Sequence, residues 1–365
     1  MEGLWEKKEQ CCGCGACKAV CHHGAIAMVM DREGFFYPEI DKKRCVRCKS
    51  CKKVCPIKGR NRGSEGQVYM GAQAKDDEIR FSSSSGGVFP VLAKWVLEGK
   101  GVVFGAAMNR EGKVGHRDIE DVKDIIRLQK SKYVQSQMSD CYEKVKNYLE
   151  QGRQVMFTGT PCQCQAIRRY IGKEYEKLIL VDLICYGVPS PGIWKKYGKE
   201  LKKKYHEEVF QFCFRDKRKR DNGHTVVIKT ARGEYAYPMN QDLFCRLYFG
   251  NYILRPSCHA CRFCTVERES DLTIGDFWGI EKAKPEMDDG MGTSLIILHN
   301  EKARYIWDEV KEEFRHFSCE KEAVLQPRLC GPTLQASGRQ TFWLLNRFLP
   351  LALTEKILEK IYRNR

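Results

Sequence analysis

The chain has 365 residues, of which 20 are cysteine and 42% are hydrophobic, and its 63 Lys or Arg against 47 Asp or Glu give a formal net charge of +16. A chain of this length can bury a core of its own, so the thiols are not the disulfide frame of a small secreted scaffold. Residues 1–10 are charged and carry no short apolar stretch of the signal-peptide kind. Nor does any run approach the roughly 18 apolar residues of a membrane span. The expectation is therefore a cytoplasmic metalloprotein of two or three domains whose cysteines serve metals or redox chemistry.

Nine of the twenty cysteines fall within the first 55 residues. Cys11, Cys14, Cys17 and Cys21 read C-x2-C-x2-C-x3-C, and Cys45, Cys48, Cys51 and Cys55 repeat the run with Pro56 following. That is the bacterial two-cluster ferredoxin pattern, in which three closely spaced thiolates wrap one cluster and the fourth reaches the other. Cys11, Cys14, Cys17 and Cys55 are thus assigned to one [4Fe-4S] cluster, and Cys45, Cys48, Cys51 and Cys21 to a second. Gly13 and Gly15 allow the backbone to turn its amides toward the cluster, while Cys12 lies outside the register. Paired zinc knuckles are the alternative, and two complete runs argue against them. His22 stands where proline usually follows the fourth cysteine.

Residues 58–66 read as a linker, after which strands and helices alternate. Strands are expected over residues 68–74, 102–107, 155–158, 178–184 and 224–230, with helices from Val88, over 140–150 and over 191–205. The fold class is α+β: a small ferredoxin domain at 1–60, a larger mixed α/β domain at 61–335 and a helical tail at 336–365. Ahead of the first long helix, Ser82-Ser83-Ser84-Ser85-Gly86-Gly87 combines hydroxyls, flexible backbone and free N–H groups, a setting for an anionic group. There is no Walker A lysine motif and no G-x-G-x-x-G after a strand.

A second group of thiols comprises Cys162 at a strand-to-helix turn, Cys185 after the next strand, and Cys258, Cys261 and Cys264 in a C-x2-C-x2-C run. A cysteine at a helix start has its thiolate stabilised by the dipole, which suits metal ligation or redox reactivity. The run reads as a third iron-sulfur cluster or as a zinc site completed by His259 or Cys162.

The ordered motifs Ser85-Gly86-Gly87, Lys132-Tyr133-Val134-Gln135-Ser136, Gly159-Thr160-Pro161-Cys162-Gln163, Cys185-Tyr186-Gly187-Val188-Pro189-Ser190-Pro191, Cys258-x2-Cys261 and Gly275-Asp276-Phe277-Trp278-Gly279 resemble the coenzyme F420 hydrogenase/dehydrogenase beta-subunit family of iron-sulfur flavoproteins. A ferredoxin domain would be fused ahead of it, and the likeness runs from about residue 5 to about residue 320. The resemblance implies FAD and a further [4Fe-4S] cluster in the large domain. Ser85, Gly86, Gly87 and Lys132, Tyr133, Gln135 and Ser136 would lie against the flavin, with Asp276 beside them. Cys162, Cys185, Cys258 and Cys261 would hold the third cluster, with Cys264 as the alternative to Cys185. Tyr133, Asp276 and Lys132 are candidates for a proton donor.

The implied activity is an oxidoreductase passing electrons between the clusters, a ferredoxin-type partner, and a substrate or F420-like hydride carrier at the flavin. An electron-transfer subunit of a larger complex without a substrate of its own, and a ferredoxin-dependent reductase in surface-polysaccharide metabolism, are the alternatives. Residues 195–220 hold eleven Lys or Arg against four Asp or Glu, a solvated face or a dock for an anionic partner. Nucleic acid is disfavoured there because Phe210, Phe212 and Phe214 alternate as in a strand rather than forming a stacking platform. Three clusters at about −2 each and a flavin diphosphate reduce +16 to about +8. The tail, with Trp343, Phe348 and Leu353, is read as packing on the main domain or a partner, or lying on a membrane surface.

Overall fold

The computed structural model describes residues 4–58, 66–138, 140–209, 211–219 and 223–362. The segment expected as a linker lies almost wholly outside the described residues, as do Phe210 and Arg220. The N-terminal unit pairs β1 (Ile26–Met30) with β2 (Phe36–Ile40) as a hairpin, Ile26 opposite Ile40 and Met30 opposite Phe36. Two helices of one turn each, Ala16–Ala19 and Ser50–Lys53, pack on one another. Few apolar side chains are buried in this unit beyond Ala16, Ala25, Ile26, Phe35, Tyr37 and Val54. So thin a core needs a covalent or metal staple to hold it.

The large unit is built on an eight-stranded mixed sheet. Its strands are β3 (Val68–Ala74), β4 (Val102–Met108), β5 (Val114–Ile119), β6 (Val155–Gly159), β7 (Leu178–Leu183), β11 (Leu272–Asp276), β12 (Ser294–Leu298) and β13 (Phe314–Cys319). Between β7 and β11 the chain forms β8 (Gln211–Asp216), β9 (Thr225–Thr230) and β10 (Gly233–Pro238), an antiparallel sheet in the order β10-β9-β8. The main sheet runs β13-β3-β12-β11-β7-β6-β4-β5. Its inner strands β4, β6, β7 and β11 are parallel, and the outer ones antiparallel.

Alternation along the inner strands separates two cores. Val103, Met156, Ile179 and Val181 face the helix Val88–Glu98, whereas Val102, Phe104, Val155, Phe157, Leu178 and Leu180 face the helices Cys141–Glu150 and Pro161–Ile171. Strands buried on both faces read as near-continuous apolar runs, as Val155–Gly159 and Leu178–Leu183 do. Each fully buried Leu, Val or Phe contributes roughly 1.5–3 kcal/mol. A third core joins the small sheet, the helices Pro191–Tyr205 and Leu243–Phe249, and Phe35 and Tyr37 of the N-terminal unit.

The C-terminal tail belongs to that third core. Helices Arg339–Leu345 and Leu351–Tyr362 bury Phe342, Trp343, Leu351 and Leu358 in it. Lys196 donates to the carbonyls of Asn346 and Leu349, and Arg246 pairs with Glu355. The apolar face of the tail is thus spent on the protein itself, while Phe348 and Leu344 remain exposed. No helix of the described residues is long and apolar enough to cross a membrane.

Candidate iron-sulfur and cofactor site

None of the twenty cysteines is in a disulfide. In the N-terminal unit Cys11, Cys14, Cys17 and Cys55 lie close enough to influence one another electrostatically. Burial raises the thiols of Cys11, Cys17 and Cys55, and their neighbours raise them further. Cys45, Cys48 and Cys51 form the second set. Cys21 follows the helix that packs against Ser50–Lys53 and accepts a bond from the Ala25 amide (3.4 Å).

In the large unit Cys162, Cys185, Cys258 and Cys261 come together from three separate stretches of chain. Burial, then Cys258, Cys162 and Cys261, raise Cys185 well above an ordinary thiol. Burial, then Cys261, pushes Cys258 up to about 12. The Val188 amide points at the Cys258 sulfur (3.4 Å). Buried thiols that repel one another ionise together only around a cationic core, and amide donors to sulfur are a recurrent feature of iron-sulfur ligation. Among the described residues no three His, Cys, Asp or Glu converge as on a single metal ion, which a tetrahedral zinc site requires. His259 is anchored by Nδ1 to the Thr333 carbonyl (2.8 Å). The residues therefore fit polynuclear clusters better than zinc.

The two surplus thiols have parallel roles. Cys264 hydrogen-bonds Cys261 and lowers it to about 7. Cys12 does the same to Cys14, which falls to about 7, and its other contact is Cys162. Cys12 therefore stands between the first set of thiols and the set in the large unit. That junction is tightly built: Tyr142 donates to the Cys14 carbonyl (2.9 Å) and Gln135 to that of Cys12 (3.1 Å). Arg255, wholly buried, donates to the carbonyls of Cys11 (2.7 Å) and Phe36 (2.8 Å).

At the carboxyl ends of β4, β6, β7 and β11, where open α/β sheets bind ligands, lies a cavity of about 330 Å³. One wall is Ser83, Ser84, Ser85 and Gly87 with the start of helix Val88–Glu98; another carries Cys185 and Thr160, next to Cys162. Tyr133, Tyr186, Tyr248 and Phe249 make an aromatic side, Tyr133 stacking on Tyr248 at 5.1 Å. Arg215 reaches in from β8, ion-paired with Asp276. The Thr158 hydroxyl, buried on the cavity lining, has no protein partner.

Of the residues expected at the flavin, Ser85, Gly87, Lys132, Tyr133, Ser136 and Asp276 line this cavity. Gly86 does not. Its amide donates to Ser294 Oγ (2.9 Å), and a Cβ there would meet the Ala72 carbonyl at 2.2 Å, so it is glycine for strand packing. Gln135 turns away to Cys12 and Arg255. Lys132 lines the cavity but spends its ammonium on the carbonyls of Leu128 and Gln129; burial lowers it to about 7.

Sequence reasoning missed His116, Gln163, Arg215 and Lys217. His116 Nε2 donates to the Thr158 carbonyl (3.0 Å) and Nδ1 accepts from Ser136 Oγ (2.9 Å), which in turn accepts from Gln163 Nε2 (3.0 Å). Lys217 donates to the carbonyls of Arg80 (2.7 Å) and Ser85 (2.6 Å), pinning the serine loop. The Gly159-Thr160-Pro161-Cys162-Gln163 motif contained Gln163, whose Oε1 caps Thr160, but isolated His116 and Lys217 carried no sequence signal. Of the basic stretch at 195–220, Arg215 and Lys217 are buried, Lys202 pairs with Glu208, and Arg218 with Asp216 and Glu234.

Thiol sets of this kind define an iron-sulfur protein with a ligand cavity beside its innermost set. Residues 10–58 match the 4Fe-4S dicluster domain, and residues 152–319 match the family described as the C terminus of the coenzyme F420 hydrogenase/dehydrogenase beta subunit. The chain belongs to that beta-subunit family, with the dicluster domain ahead of it. Among solved structures it is similar to a chain in a xenon derivative of the F420-reducing [NiFe] hydrogenase complex from Methanosarcina barkeri. The two are 18% identical with a TM-score of 0.47, over 83% of this chain and 94% of that one. No curated protein matches.

Proposed function

We propose that the protein is an iron-sulfur flavoprotein oxidoreductase with three [4Fe-4S] clusters and FAD, exchanging electrons with a ferredoxin-type partner and hydride with an F420-like carrier or other substrate. The observation that carries this reading is the shared wall: Cys185 both lines the cavity and joins the thiol set of Cys162, Cys258 and Cys261. Flavin is the cofactor that couples two-electron to one-electron chemistry.

The amides at the start of helix Val88–Glu98 and the hydroxyls of Ser83, Ser84 and Ser85 would hold the diphosphate. The unpartnered Thr158 hydroxyl supplies a donor for the ring end, and the Tyr133–Tyr248 stack supplies a flat apolar surface. His116, neutral because burial lowers it to about 4, holds Ser136 with its proton directed inward to the imidazole rather than to the ligand. Asp276 is held by Arg215, so it stands as a fixed charge pair and Tyr133 as the nearer hydroxyl for proton delivery. The thiol sets meet in one order, from exposed Cys48 through the Cys11 set and Cys12 to Cys162 and the cavity.

Anaerobic purification with iron, sulfide and flavin counts tests the proposal: about twelve irons and one FAD are expected. Cys162→Ser is expected to lose about a third of the iron while the N-terminal pair keeps its spectrum; loss of all iron, or of none, would contradict this division of the thiols. Flavin bleaching by reduced ferredoxin but not by reduced F420 would remove the deazaflavin as substrate, and a preparation with no flavin would sink the cofactor assignment.

A further inference from the structure

The two cysteine runs of the N-terminal unit are built alike but finished differently. In the first, the residues between the ligating positions that take left-handed backbone are Gly13 (φ +69°) and Gly15 (φ +80°). A Cβ on Gly13 would lie 2.6 Å from Arg255 Nη1, so this run is pressed against the large unit. In the second run the equivalent positions are Arg47 (φ +58°) and Lys49 (φ +64°). Left-handed backbone favours glycine, and residues with side chains held there mark places where the side chain is needed.

Both side chains are exposed. They belong to a basic collar: residues 42–53 hold seven Lys or Arg and no Asp or Glu, and all seven are exposed. Among the described residues none of the seven makes an ion pair. Val46, 58% exposed, and the exposed Cys48 sit inside the collar. Through Lys53 the collar continues into a cleft walled by Arg168, Arg169 and Lys173. The contrast with residues 195–220 is plain, since cations there are buried or paired with carboxylates.

We infer that the second cysteine run is a docking face for a small acidic one-electron carrier protein, steered by Arg47, Lys49 and the surrounding cations and seated on Val46. The inference rests on the oxidoreductase reading above and gives its partner an address. On docking, the carrier is oxidised by one electron and this protein reduced by one, with no bond made and no proton moved. An unpaired basic surface around the most accessible thiols attracts an acidic partner, accelerating encounter at low salt by about 10–10³-fold. It also disfavours a basic one.

The test uses the whole protein with its clusters and a reduced, acidic two-cluster ferredoxin in anaerobic stopped flow. Arg47→Gly with Lys49→Gly restores the glycines of the first run; Lys42→Gln with Lys43→Gln removes charge where the backbone is ordinary. Iron and sulfide contents are expected to match the parent. At low salt the second-order rate is expected to fall about tenfold in the first variant and less in the second, with a shallower salt dependence in both. Calorimetric titration with the oxidised carrier, which needs no turnover, is expected to show a Kd weakened about as much. Rates and Kd unchanged in both variants, but lowered in Lys199→Gln with Lys203→Gln, would overturn the docking face and leave the oxidoreductase reading intact. A parent protein that methyl viologen radical reduces but ferredoxin does not would overturn the carrier class, and this surface with it.

Discussion

His116 lies at the junction of the sheet and the cavity, 1% exposed, stacked on Phe157 at 4.9 Å and bonded on both ring nitrogens. Burial lowers it from 6.5 to about 4. Above pH 6.5 the ring is neutral in folded and unfolded chains alike. Between 6.5 and about 4 the unfolded chain takes up a proton that the folded one refuses, so stability falls as the pH falls and the loss ends below about 4. At about 1.4 kcal/mol per unit the loss is about 3 kcal/mol in all. His116→Asn is expected to be less stable at pH 7, where two hydrogen bonds are disturbed, and to narrow that deficit as the pH approaches 4. Denaturant unfolding of both proteins across this range checks it, since acid lability of the clusters is common to both and drops out of the difference. A constant difference would mean that the ring titrates normally.

Among the elements, the helix Arg339–Leu345 carries more of the fold than its distance from the family motifs suggests. Phe342 is fully buried, edge-on to Trp343 at 5.2 Å and beside Tyr252 at 6.0 Å. Phe342→Ala leaves a cavity in the third core and is expected to cost about 3 kcal/mol, read as a fall in the denaturation midpoint at unchanged slope. The tail's periodic Leu, Trp and Phe made its helices readable, but not their destination, because an amphipathic face does not say which apolar surface covers it. The long buried strands Leu178–Leu183 and Val155–Gly159 and the helix Pro191–Tyr205 were legible from continuous apolar runs and from Pro at the helix start. Strands β11 to β13 went unread, because β11 hides in Leu-Thr-Ile-Gly-Asp and β13 alternates exposed Arg315, His316 and Ser318 with few apolar partners. The thiol runs were legible because their spacing is local. The cavity was legible only in part: Ser85 and Tyr133 sit in motifs, whereas Arg215 and Lys217 looked like members of a surface charge run until the sheet buried them.

At the scale of the whole molecule the question is how a unit with so small a core is kept in register with the large one, since the innermost thiols of both meet at Cys12 and Cys162. Gly34 lies against Gly192, Ser190 Oγ donates to the Glu33 carbonyl, and Arg339 pairs with Glu33. Arg255 is the centre of this joint. Its guanidinium lies 4.3 Å from the Tyr37 ring and is bonded to the Cys11 and Phe36 carbonyls from one unit and Gln135 from the other. Replacing it with Met would keep much of the volume but leave both carbonyls buried without donors, at about 1–3 kcal/mol each. Calorimetry of the parent is expected to show one cooperative transition. Arg255→Met is expected to split it, the earlier step releasing the iron of the Cys11 and Cys45 sets while the Cys162 set persists. Arg262→Ala, which removes only a surface donor to the Ile57 carbonyl, is expected to shift stability by less than about 0.5 kcal/mol. If Arg255→Met melts as one unit near the parent's midpoint, the joint is held by the shared aromatic core of Phe35 and Tyr37 rather than by the buried guanidinium.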